Sequence, residues 1–205
     1  MSTENTINKK KIPRKKIKEL LIEGASCLRK KKYHEVVSVL DEAIQLGCAN
    51  SRAYFDLGYA FLELGEYEKA IANFDRAENL NPGFISVYFN RGLAYFKLRE
   101  NEKAISDFDK SIKAEPNEWA YFYRGLAHGG NRNYRQSDVD FTKAISLKEG
   151  YFLEAIFLRG RLRYTMGKND ETIKERGIQD LRLAATLGFK EAQYFLDSEA
   201  ILWKY

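Results

Sequence analysis

Five glycines, Gly24, Gly58, Gly92, Gly125 and Gly160, stand 34, 34, 33 and 35 residues apart. A recurrence of this length marks a stack of like supersecondary units, not one mixed core. Other columns keep the same register. Four residues before each glycine stand Leu20, Tyr54, Tyr88, Tyr121 and Ile156; twelve residues beyond the first four stand Val36, Ala70, Ala104 and Ser137. Four further on come Leu40, Phe74, Phe108 and Phe141, and three more give Ala43, Ala77, Ser111 and Ala144. Pro82 and Pro116 close the second and third units; with Pro13 they are the chain's three prolines, a scarcity that suits helices.

The pattern resembles the tetratricopeptide repeat, W-x2-L-G-x2-Y…A-x3-F…P. "AYFDLGYAFLELGEYEKAIANFDRAENLNP", Ala53 to Pro82, is a near-complete match, and the third unit is nearly as good. Units one and four are weaker. Unit five aligns only after five extra residues between Gly167 and Gly177. The resemblance implies an all-α, right-handed α-solenoid of helical hairpins, with repeats at about 17–50, 51–84, 85–117, 118–152 and 153–188. Each hairpin leaves an apolar face that the next one covers. Residues 189–205 read as a capping helix, with Ala192, Phe195, Leu196, Leu202 and Trp203 near one face. Residues 1–16 read as a disordered basic tail.

Two columns vary together. The residue before each repeat glycine is Glu23, Leu57, Arg91, Arg124 and Arg159. The residue before each second-helix leucine or aromatic is Val39, Asn73, Asp107, Asp140 and Asp180. Every arginine goes with an aspartate. A guanidinium in a partly buried seam needs a carboxylate, and a bidentate fork supplies the match. Arg91–Asp107, Arg124–Asp140 and Arg159–Asp180 are therefore expected to be structural ion pairs within one hairpin.

In the tetratricopeptide family the first helix of each repeat lines the inner wall. The matching places here, three residues before each glycine, are Leu21, Phe55, Phe89, Phe122 and Phe157. They lie ~200° around the helix from the arginine column. Tyr59, Asn90, Phe96, Trp119, Tyr123 and Arg161 are expected around them. Two functions compete for these aromatics: anchoring a peptide or partner helix, or packing between helices. Trp119, Tyr59 and Tyr123 look additional to the packing pattern. The carboxylate clamp of chaperone-binding members is matched only at Asn90; Phe55, Tyr59, Trp119 and Tyr123 hold its other places. "HGGNRNYRQSD", His128 to Asp138, interrupts unit four, with Gly129 and Gly130 expected to end its first helix early.

Forty-four per cent of the residues are hydrophobic, enough for a sizeable core. The net charge of +5 is uneven: residues 1–32 carry eleven Lys/Arg against three Glu, and the remainder is slightly acidic. "NKKKIPRKKIK" and "RKKK" invite phosphate or anionic-membrane contacts, but interleaved aromatics for base stacking are missing. Cys27 and Cys48 are too few for a disulfide framework and read as reduced thiols. With no apolar run of ~20 residues, a cytoplasmic location is expected. The two histidines, His34 and His128, are isolated, and no metal-ligand cluster, phosphate loop or nucleophile motif occurs. The chain thus reads as a non-catalytic scaffold or adaptor, without cofactor, metal or small-molecule substrate, that binds a protein or peptide in its groove. It is expected to be a monomer or homodimer. The alternatives are a nucleic-acid- or ribosome-associated factor guided by the basic end, and a protein that self-assembles through Tyr194 to Tyr205.

Overall fold

The computed structural model describes residues 14–203; residues 1–13 of the anticipated tail lie outside the described residues. The fold is all-α. Ten helices form five hairpins: α1 Arg14–Arg29 with α2 Tyr33–Gln45, α3 Ser51–Glu63 with α4 Tyr67–Leu80, and α5 Ser86–Lys97 with α6 Asn101–Ala114. Then follow α7 Glu118–Gly130 with α8 Tyr134–Leu147, and α9 Leu153–Met166 with α10 Glu171–Thr186. A last helix, α11 Lys190–Ser198, closes the chain.

The first four hairpins turn on one device. Lys31, Gly65, Arg99 and Arg132 adopt left-handed φ values of 56, 78, 64 and 61°. The amide of the following residue then reaches back to the carbonyl of Cys27, Phe61, Tyr95 or His128, at 2.9–3.0 Å. This stops the first helix and reverses the chain within three residues. At the other ends, the Asn50, Asn117 and Asp170 side chains accept from amides of the first turns of α3, α7 and α10.

The repeat glycines are seats for the second helix. A Cβ at Gly58 would lie 2.7 Å from the Phe74 ring, and one at Gly92 would lie 2.8 Å from Phe108. Phe74 and Phe108 are wholly buried on those seats. In the fifth hairpin two glycines meet: a Cβ on Gly177 would lie 2.7 Å from the Gly160 carbonyl oxygen. The five extra residues there become a single 3-10 turn, Gly167–Asn169, and a longer α10.

The chain divides into two compact units, residues 1–87 and 88–205. The first holds hairpins one and two. Leu20, Ala43, Cys48 and Ala53 pack together where α1, α2 and α3 meet, and Leu57, Phe74 and Ala77 are buried in the second hairpin. The second unit holds hairpins three to five and α11. Its core runs from Ala104, Phe108 and Ala127 through Phe122, Phe141 and Phe152 to Ile156, Leu181 and Leu196. Both cysteine thiols lie buried in the first unit.

Three expectations change. Arg14, Lys15 and Lys16, assigned to the tail, open α1, because the apolar spacing of Ile17, Leu20 and Leu21 already commits that turn to the core. Gly129 and Gly130 do not end α7 early: the helix runs through both, and α6 approaches so closely that a Cβ on Gly130 would lie 2.5 Å from the Asn101 side chain. The capping helix stops at Ser198, and Ala200 turns left-handed at φ 55°. Ala192 and Leu196 do pack against the fifth hairpin, whereas Leu202 is 73% exposed.

Candidate partner-binding face

The structure brings each arginine of the column to its aspartate. Arg91 donates from Nε and Nη2 to the two Asp107 oxygens at 2.7 and 2.9 Å. Arg124 does the same to Asp140 at 2.9 and 2.6 Å, and Arg159 to Asp180 at 2.8 and 2.7 Å. The third fork forms although its partners are 21 residues apart instead of 16, because the extra residues are taken up before the seam.

The remaining donors tie hairpins to each other. Arg124 Nη1 reaches Asp109 on α6 at 2.6 Å, and Arg159 Nη1 reaches Thr142 on α8 at 3.1 Å. One turn beyond Arg159, Arg163 bridges Asp138 at 2.6 Å and Asp180 at 3.1 Å. The acidic pairs Asp107/Asp109 and Asp138/Asp140 therefore serve as arginine acceptors. Burial alone would lower the Arg124 guanidinium, but its hydrogen bonds to Asp140 and Asp109 outweigh this and hold it above its usual range. His128 takes the corresponding place one turn beyond Arg124, with Nε2 3.9 Å from Asp140. Burial pushes it below its ordinary range, against the pull of Asp140.

The phenylalanine column lies deeper than a groove lining would. Phe55 packs 5.7 Å from Phe74, Phe89 5.9 Å from Phe108, Phe122 5.9 Å from Phe141, and Phe157 5.2 Å from Phe189. The first three rings join the two helices of a hairpin, Phe157 meets the link between α10 and α11, and Phe122 and Phe157 are buried. Tyr123 is a hub, touching Phe89, Phe96, Phe108, Trp119 and Phe122 with centroids 5.4–6.4 Å apart. Burial, then the nearby Glu154, raises its hydroxyl pKa. In the first unit, Tyr59 packs on Tyr33 at 6.3 Å. Asn90 is half-buried on α5.

Trp119 and Arg161 differ from these. Trp119 is 41% exposed, edge-on to Phe152 at 4.9 Å, with the Lys148 ammonium 5.7 Å from its ring centroid. It stands at a cavity of about 310 Å³ lined by Phe122, Tyr123, Glu154, Phe157, Leu158 and Phe189. Arg161 is exposed and lies across the Phe157 and Phe195 rings at 5.5 and 5.8 Å. It also borders a second cavity of about 400 Å³ between α7, α8 and α9. Leu158 lines both cavities, so they share a wall.

That second cavity was missed by the sequence reading, though a signal for it exists. Four residues beyond each repeat glycine stand Leu28, Leu62, Phe96, Gly129 and Tyr164. A large side chain is missing only in hairpin four, and Gly129 lines the cavity there.

Among the described residues no cluster of His, Cys, Asp or Glu could hold a metal ion, and no helix is long and apolar enough to cross a membrane. No curated protein sequence matches the chain. Two family models do: "TPR repeat" over residues 58–98 and "Tetratricopeptide repeat" over residues 85–118. Solved structures with the same fold include MamA 41-end from Desulfovibrio magneticus RS-1, 21% identical, with a TM-score of 0.73 over 84% of this chain and 97% of that one. Another, described as the crystal structure of MamA protein, is 19% identical, with a TM-score of 0.74 over 87% of this chain and 95% of that one. Repeat signature, hairpin geometry and fold agree: residues 58–118 match the tetratricopeptide repeat, and the described chain has the all-α solenoid fold of these structures.

Proposed function

We propose that the chain is a non-catalytic protein-interaction scaffold that holds a peptide or partner helix against the aromatic face of its second unit. The observation that carries this reading is Trp119. Most aromatics of the repeat columns are spent on packing, whereas Trp119 keeps 41% of its surface exposed at the mouth of a cavity walled by Phe122, Tyr123 and Phe157. A rigid, half-exposed indole over an apolar recess has the character of an interaction anchor. Arg161, its guanidinium 5.5 and 5.8 Å from the Phe157 and Phe195 ring centroids, adds a donor at the adjoining cavity. Phe122, Phe157 and Tyr123 then act as the wall that holds the anchor in place, with Phe89 and Phe96 packed behind Tyr123.

The test is selection of a displayed random-peptide library on the full chain, followed by fluorescence anisotropy of the recovered peptides. Trp119→Ala is expected to weaken binding about tenfold or more while leaving the thermal melt close to wild type. Equal affinities for the two proteins would remove Trp119 from the site.

Self-assembly is a second reading with its own observation. Leu183 and Leu187 on α10 and Tyr194 on α11 are 41, 38 and 71% exposed. It predicts a dimer by light scattering that Leu183→Lys/Tyr194→Lys converts to monomer.

A further inference from the structure

The second cavity and its rim specify what kind of segment would complete the face. This inference rests on the reading of the second unit as a partner-binding surface. A Cβ at Gly129 would meet only Ser137 Oγ, at 3.5 Å, so packing does not require glycine there. The missing side chain opens a recess of about 400 Å³, walled by Leu126, Phe141, Leu158, Leu162 and Met166. That is within the ~300–1,000 Å³ range of ligand pockets and roomy enough for a large apolar side chain. The polar group on its floor is already engaged, since Ser137 Oγ donates to the Gly125 carbonyl at 2.8 Å.

The rim is cationic. Arg161 borders the recess itself. Tyr134 and Met166 form a wall shared with an adjoining depression, also lined by Arg132 and Arg135. Among the described residues, no carboxylate lies within ion-pair distance of these three guanidiniums, in a unit whose other seam arginines are all forked onto aspartates. Their pairing capacity is left for a ligand.

We infer that this recess takes a bulky apolar side chain from a partner segment whose flanking residues are acidic, with the carboxylates meeting Arg161, Arg132 and Arg135. The chemistry has two parts: a side chain fills the volume that Gly129 vacates, and charge sets the sign of the flanks. Exposed guanidiniums at the edge of an apolar pocket steer and orient an acidic strand more than they bind it. The chain's own residues 1–13, with three lysines and one glutamate, have the wrong sign to serve as this segment.

The experiment selects one random-peptide library in parallel on wild type, Gly129→Leu, Arg132→Ala/Arg135→Ala and Trp119→Ala proteins. Peptides recovered on wild type should pair a large apolar residue with neighbouring Asp or Glu. They should bind Gly129→Leu about tenfold more weakly, although that protein melts at or above the wild-type temperature because a helical glycine is removed. The double arginine variant should weaken them and flatten their salt dependence. Gly129→Ala, which adds the least volume, should fall between. If the recovered peptides are neutral or basic, or bind Gly129→Leu as tightly as wild type, the inference fails; if they still need Trp119, the broader reading survives. If no protein in the set recovers any peptide, both fail.

Discussion

The two units of the chain fill the same seam in opposite ways. In the first, the position before the repeat glycine is Glu23, which is exposed, or Leu57, and the aspartate position holds Val39 or Asn73. Leu57 is buried, and Asn73 turns away to donate to the Lys69 carbonyl at 2.9 Å. In the second unit the same places hold Arg91, Arg124 and Arg159, each forked onto an aspartate. The same hairpin geometry tolerates both, so the fold does not demand the ion pair. What it demands is that both sides of the seam change together. A buried pair contributes little over an apolar one, but half a pair leaves a charge without its partner.

The largest effect should come from halving a pair. Asp140→Ala leaves Arg124 with Asp109 alone and is expected to destabilise the chain by about 3–5 kcal/mol, read from urea unfolding. Arg91→Leu/Asp107→Leu converts a seam of the second unit to the chemistry of the first. It should come within about 1–2 kcal/mol of wild type and be far better than either single variant. A double variant worse than both singles would end the comparison.

The converse transplant comes next. Leu57→Arg alone should cost about 3 kcal/mol by burying a lone guanidinium, and adding Asn73→Asp should return part of that loss. The turns offer a smaller contrast. Hairpin two places Gly65 at its left-handed position, where hairpin three places Arg99 at φ 64°. Arg99→Gly is expected to stabilise by up to about 1 kcal/mol, and Gly65→Arg to destabilise by a similar amount.

The smallest effect concerns pH. His128 has no histidine counterpart in the first unit, where Cys27 and Phe61 hold the matching places. Its folded-state pKa lies below the ordinary value, chiefly through burial. Stability from this group is therefore whole above about pH 6.5 and is lost as the pH falls through the depressed value. A small drop in melting temperature between pH 7.5 and pH 5 should shrink in His128→Gln; an unchanged drop would assign it elsewhere.

These contrasts also show what one sequence discloses. The hairpins and the arginine–aspartate columns were legible because repetition lets a chain serve as its own alignment: a column of glycines under phenylalanines has one steric meaning. Depth was less legible. Tyr123 and Trp119 read alike as aromatics additional to the packing pattern, yet Tyr123 is enclosed by five rings while Trp119 stays 41% exposed. Gly129 and Gly130 were read as breakers because glycine weakens helices in isolation. Here one makes room for Asn101 and the other leaves a recess, and both meanings depend on neighbours distant in sequence. The added turn of α10 was visible only as a five-residue mismatch.

On the function proposed above, the arginine column serves folding and the exposed face of α7 and α9 serves binding. The most direct test compares the affinity of one selected peptide for Arg91→Leu/Asp107→Leu and for Trp119→Ala, by fluorescence anisotropy. The paired seam variant is expected to stay within about twofold of wild type while Trp119→Ala loses about tenfold or more. Loss of binding in the seam variant, with Trp119→Ala unaffected, would contradict the proposed function.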